Sequence, residues 1–212
     1  QGWISPRAMR NGIIVTVLFA CLIGSALLFY AGWELIIVGL LCVLFAFLYT
    51  TGPYPLSYNG WGDVLVIVFF GFVPVGGTYY VQALTWTSDT TVASLICGLL
   101  IDTLLVVNNY RDREADARSG KRTVIVRFGE KFGRYLYLML GVAASLLCFW
   151  FFFEGHLFAA LLPLLYLIPH VLTWRRMVQI HSGKKLNSIL GETSRNMLLM
   201  GILLSIGFLI RH

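Results

Sequence analysis

Apolar residues fall along this chain in seven long runs separated by short polar stretches, covering roughly 8–29, 33–51, 63–81, 91–110, 133–153, 157–174 and 189–210. An α-helix rises about 1.5 Å per residue, so roughly 20 apolar residues cross about 30 Å of hydrocarbon. Every run reaches that length. The pattern predicts an all-α integral membrane protein with seven transmembrane helices, because helices satisfy their own backbone hydrogen bonds where no water is present.

The polar stretches between the runs alternate in chemistry. "YAGW" (30–33), "VQALTWTSDT" (81–90) and "FEGH" (153–156) contain no Lys or Arg, whereas residues 111–134 hold eight and 175–185 hold four. Lys and Arg gather in cytoplasmic loops, so 52–62, 111–131 and 175–188 are expected on the cytoplasmic side. With Arg7, Arg10 and Arg195, 15 of the 16 basic residues then lie on that side, and Arg211 alone lies opposite.

Composition agrees and narrows the function. Of 212 residues, 58% are hydrophobic and 12% charged, about half the charge usual in soluble domains. The net charge of +6 follows from the topological bias and attraction to anionic membrane lipids, and it argues for no nucleic-acid partner. Cys21, Cys42, Cys97 and Cys148 sit singly inside apolar runs, and the four His are scattered, so no zinc or haem site is expected. The chain opens at Gln1 without a signal peptide. Its opening reads as a cut edge, with further sequence expected upstream.

The polar exception is "NNYRDREADARSGK" at 108–121, directly after the fourth run. If the helix continues, Asn108, Asp112 and Asp116 are spaced by four and share a face, with Asn109 three before Asp112. Two carboxylates so spaced can take part in holding Mg²⁺, which fills its other octahedral positions with water and phosphate oxygens. Arg111, Arg118, Lys121 and Arg122 would then face the phosphates. The same charges also fit a solvated, salt-bridged face with a topological role, and the spacing alone does not decide between the two.

A longer pattern does. "NNYRDREADARSGKRTVIVRFG" (108–129) resembles the second aspartate-rich motif of the UbiA-type intramembrane prenyltransferases, in the form found in the branch that prenylates 1,4-dihydroxy-2-naphthoate for menaquinone synthesis. "YTTGPYPLSYNGWGDVLVIVFFGFVPVGGTYYVQ" (49–82) is similar to that family's loop after its fourth helix and the helix that follows. Two separated matches in the right order carry more weight than either alone. The family has nine transmembrane helices around a central cavity, so the seven runs here resemble helices three to nine. By that alignment the chain is one prenyltransferase domain, 1–212, lacking the first two helices and the first aspartate-rich motif, and it is expected to be inactive by itself.

The resemblance implies Mg²⁺-dependent transfer of a polyprenyl chain from its diphosphate to the naphthoate with loss of CO₂, in a bacterial inner membrane; the alternative is another acceptor prenylated within the family, 4-hydroxybenzoate, homogentisate or protohaem. It implies Asp112 and Asp116 as metal ligands, and Asn109, Arg111, Lys121 and Arg118 at the diphosphate. It places Tyr49 and Thr50 near the substrate cavity; Asn108, Asp63 and Asp102 are further candidates for that cavity, of which Asp102 matches no family motif. On the residues alone, Tyr49 also fits an interfacial aromatic, and Asp63 in "GWGD" fits a helix N-cap. Asp102 lies in mid-span, where an ionised acid is costly, so it should face the bundle interior or a wet cavity. "GFVPVGG" (71–77) is expected to kink the third run or to let helices approach closely.

Two other classes fit less well. A transporter would need polar residues spread through several spans, and apart from Asp102 these spans are largely free of charge. A membrane phosphotransferase for cytidine-activated alcohols would need D-G-x-x-A-R, which "EADARSG" does not supply.

Overall fold

The computed structural model describes residues 3–210, so Arg211 lies outside the described residues. Seven helices follow one another: α1 (Pro6–Phe29), α2 (Glu34–Thr50), α3 (Gly62–Ala83), α4 (Ser88–Arg118), α5 (Val124–Phe153), α6 (Leu157–Ile180) and α7 (Lys184–Leu209). Six are long and apolar enough to cross a membrane. This is an all-α integral membrane protein. The exception is α2, at 17 residues; Gly52 at φ +94° and the following Pro53 end it at the expected place.

Helix ends differ from the apolar runs where charge continues the helix. α4 runs eight residues past its apolar part to Arg118, capped at its start by the Thr87 hydroxyl, which accepts from the Thr90 amide. The segment expected as a loop over 111–131 is therefore mostly helical, and the connection proper is 119–123. Thr123 then caps a short helical piece by accepting from Val126 N at 3.3 Å. Gly129, at φ +88° inside α5, redirects the chain into the long remainder of that helix. Likewise α6 continues to Ile180, beyond the expected end at 174.

The core belongs to α4–α7. One cluster gathers Val106, Val107, Tyr110, Ile125, Tyr137, Met177 and Ile189, and another gathers Ile96, Leu100, Ala144, Phe151, Tyr166 and Met200. A buried polar seam runs between α5, α6 and α7: Tyr137 Oη lies 3.0 Å from Thr193 Oγ1, Tyr166 Oη 2.9 Å from His170 Nδ1, and Asn196 Nδ2 donates to Thr173 Oγ1 at 2.9 Å. Such bonds fix helix rotation where the solvent offers no alternative partner. By contrast no residue of Pro6–Ser25 or of Glu34–Thr50 is fully buried; the most covered positions of Glu34–Thr50 are half-buried ones such as Phe45, whose ring packs on Phe69.

Between α3 and α4 the backbones approach closely. A Cβ on Gly98 would lie 2.9 Å from Ile67 Cα, and one on Gly71 would lie 2.5 Å from Ser94 O. Both expectations for "GFVPVGG" meet here: the small residues admit the neighbour, and α3 widens to i→i+5 bonding over Ile67–Gly76, the stretch that contains Pro74.

Candidate active site

An apolar cavity of about 840 Å³ opens between α2, α3, α4 and α7, within the size range of sites for small molecules. Its walls include Phe45, Phe69, Phe70, Leu65, Ile101 and Leu105, and its polar groups come from Tyr49, Asn108 and Ser194. Asn108 marks the end from which the charged extension of α4 projects.

There Arg111 organises the polar groups. Its Nε and Nη2 donate to Asp112 Oδ1 and Oδ2 at 2.7 and 2.6 Å, a two-pronged pair matched to the planar guanidinium. Nη2 also donates to Asn108 Oδ1 at 2.8 Å, and Nη1 to Asn187 Oδ1 at 2.9 Å. One side chain thus ties the mouth of the cavity to the first turn of α7.

Asp116 stands one helical turn further on. Its Oδ1 lies 3.5 Å from Lys121 Nζ, while its Oδ2 is buried without a hydrogen-bond donor. Lys121 is held in place because its amide donates to Asp116 O at 2.9 Å. The 119–127 segment is in turn docked on the α2–α3 loop, Arg122 N donating to Tyr58 O and Arg127 Nη2 to Asn59 O, each at 2.7 Å. Both segments that carried the family resemblance form one surface over the cavity mouth.

Could this set hold a divalent cation? Asp112 accepts from Arg111 on both oxygens, whereas Asp116 Oδ2 accepts from no donor and is an orphaned acceptor of the kind a cation satisfies. Among the described residues no group of three His, Cys, Asp or Glu could by itself enclose a metal. The donor set fits an ion that brings water and phosphate oxygens with it, as Mg²⁺ does.

The remaining expected residues divide. Asn109 is buried, on the face of α4 shared with Asp102 and Asp116. Arg118 and Arg122 are exposed, and Arg118 stands at the end of α4. Thr50 is exposed at the end of α2 and lies outside the cavity lining, whereas Tyr49 lines it. Asp63 is not an N-cap: the helix begins at Gly62 with Trp61 at the cap, so Asp63 falls in the first turn and its Oδ1 is buried without a partner. Asp102 is 2% exposed and its Oδ1 is also unpartnered.

Several contributors were not foreseen. Asn187, Gly191 and Ser194 bring α7 to the site, 76 or more residues from Arg111, and only the fold joins them. A second ionic cluster lies behind the first: Glu130 accepts from Arg113 at 3.2 Å and from Tyr110 Oη at 3.1 Å, pairs with Arg134, and lies 2.8 Å from His181 Nδ1. It clamps α4, α5 and the end of α6 together on the side of α4 that Tyr110 and Arg113 occupy.

The sequence profile of the UbiA prenyltransferase family matches residues 1–206. The chain belongs to that family. It is similar to the 1,4-dihydroxy-2-naphthoate octaprenyltransferase of Haemophilus influenzae, 36% identical over 99% of this chain and 70% of that protein. The proteins of the same name from Escherichia coli and Mycobacterium tuberculosis are each 38% identical, over 70% and 68% of this chain. The chain spans about half the length of those two relatives, 50% in each case. The expected membership and the all-α membrane architecture both stand.

Proposed function

We propose that this family member transfers a polyprenyl chain from polyprenyl diphosphate to 1,4-dihydroxy-2-naphthoate with loss of CO₂, at a site opening on the cytoplasmic face of a bacterial inner membrane. The observation that carries the reading is the position of Asp116, with its unpartnered oxygen, beside the Arg111–Asp112 pair at the mouth of an apolar cavity. Diphosphate and metal suit the charged mouth. A lipid tail suits the walls.

In this reading Asp116, together with Asp112, would hold Mg²⁺, with Arg111 beside them at the diphosphate. The bound ion would neutralise the leaving diphosphate. Arg111 and Lys121 share that task, and Asn109 supports the helix face from which both acids project. Breaking the allylic C–O bond sends its electron pair to the diphosphate and leaves an allylic cation. The apolar walls exclude the water that would capture it, and the rings of Phe45, Phe69 and Phe70 offer negative faces nearby. The ring carbon bearing the carboxylate then forms the new C–C bond, and departure of CO₂ returns its electron pair to the ring.

The test is turnover of labelled polyprenyl diphosphate with the naphthoate by the purified full-length protein in lipid, its upstream helices and first aspartate-rich motif included, with Asp116→Asn and an EDTA-treated sample alongside. Prenylated naphthoquinol and CO₂, abolished in both controls, are expected. Product formation that persists in EDTA or in Asp116→Asn overturns the reading.

A further inference from the structure

Asp63 and Asp102 face one another across the α3–α4 interface. The register follows from the contacts on either side: Gly98 lies against Ile67, and Gly62 lies against Leu105, where an added Cβ would be 3.4 Å from Cδ2. In an antiparallel pair, Asp63 and Asp102 fall between these two points. The groups interact electrostatically with each other and with Tyr49. The Tyr49 hydroxyl is fixed in the same place, 3.6 Å from where a Gly62 Cβ would stand.

Each carboxyl keeps one buried oxygen without a donor, although Asp102 is 2% exposed. Two such acceptors in one place are costly in the protein alone and are relieved by a ligand that donates hydrogen bonds. Tyr49 stands between them and the cavity that it lines, and Leu65, Val66, Ile101 and Leu105, their neighbours in the chain, also line it. Of the three groups Tyr49 lines the cavity, and the two carboxyls lie behind it in the α3–α4 interface.

Resting on the function proposed above, we propose that Tyr49, Asp63 and Asp102 form the recognition site for a ring hydroxyl of the aromatic acceptor. The hydroxyl donates toward the paired carboxyls beside Tyr49. The ring then enters hydroxyl-first, with its carboxylate turned toward Asn108 and the Arg111 guanidinium. Specificity then rests on a donor on the ring, because a site built to receive a hydroxyl rejects an analogue that lacks it. No bond is made or broken in this step.

The test measures binding in lipid nanodiscs of two fluorescent probes, 1,4-dihydroxy-2-naphthoate and its 1,4-dimethyl ether, together with a non-hydrolysable prenyl thiolodiphosphate. Wild type is expected to favour the diol by about tenfold or more. Asp102→Asn, Asp63→Asn and Tyr49→Phe are expected to reduce that preference to within about threefold while leaving thiolodiphosphate affinity unchanged. Should an aspartate variant fail to fold, Tyr49→Phe decides the matter, since it removes one oxygen and no volume. An undiminished preference in the folded variants overturns this inference and leaves the proposed function standing. Wild type that binds the thiolodiphosphate but neither naphthalene removes the acceptor assignment and this inference with it.

Discussion

Arg111→Lys separates a structural role for the cavity mouth from a chemical one. The substitution keeps the charge and removes the planar fork, so it loses the two-pronged pair with Asp112 and the bonds to Asn108 and Asn187. The ion pair is 24% and 37% exposed on its two sides, so solvent screening reduces it toward the surface value of less than about 1 kcal/mol. The two bonds to neutral amides add about 0.5–1 kcal/mol each. The folded state should lose roughly 2 kcal/mol, or about 4–8 °C in Tm for a chain of this size. A fixed donor aimed at developing negative charge is worth far more, about 10²–10³ in rate. Thermal unfolding in detergent and single-turnover kinetics on the same preparation measure the two. The expected outcome is a modest fall in Tm with at least a hundredfold loss in the rate of diphosphate departure. A Tm loss with the rate within threefold of wild type would refute the assignment of Arg111 to the leaving group.

Four further outcomes are expected. Gly98→Val forces a branched side chain where even a Cβ would stand 2.9 Å from Ile67 Cα; it should cost about 1–3 kcal/mol of overpacking, read as a lower Tm. Gly39→Val, where an added Cβ meets nothing within 4 Å, should leave Tm nearly unchanged. Glu130→Gln leaves Arg113 and Arg134 without their shared carboxylate, and amide exchange should rise at the charged end of α4 and the start of α5 with little change in the apolar halves of those helices. Removal of divalent cations with EDTA should abolish turnover, and added Mg²⁺ should restore it in wild type but not in Asp116→Asn.

The helices were legible because their signal is long and repeated: each apolar run needs only to exceed a length. Their ends were less so, because charge and helix are independent properties. Residues 111–118 are too polar to lie in hydrocarbon and are helical all the same, since the acids and bases alternate along good helix formers. The face shared by Asn108, Asp112 and Asp116 was readable for the same reason, being local. Which base serves that face was not. Arg118 lies seven residues from Arg111 and so nearly on the same side, yet it stands at the helix end in solvent. Arg111 is chosen by Asn187, 76 positions further along the chain, and nothing between them announces that contact.

The acid pair shows how one packing detail can decide what local reading cannot. Asp63 alone looked like a cap and Asp102 alone like an isolated buried acid; their relation depends on where α3 sits along α4. That register is set by Gly98 and Gly71, the points where the backbones touch, and the acids lie one turn beyond on the side away from Gly71. The sequence displays both glycines but not that they are partners. Inserting one alanine between Asp63 and Ile67 should turn Asp63 by about 100° relative to the glycine contact, carrying it away from Asp102 while the contact itself holds. The expected result is a protein of nearly unchanged Tm that no longer distinguishes the diol from its ether. An inserted variant that retains the distinction would mean that the paired carboxyls do not receive the ring hydroxyl.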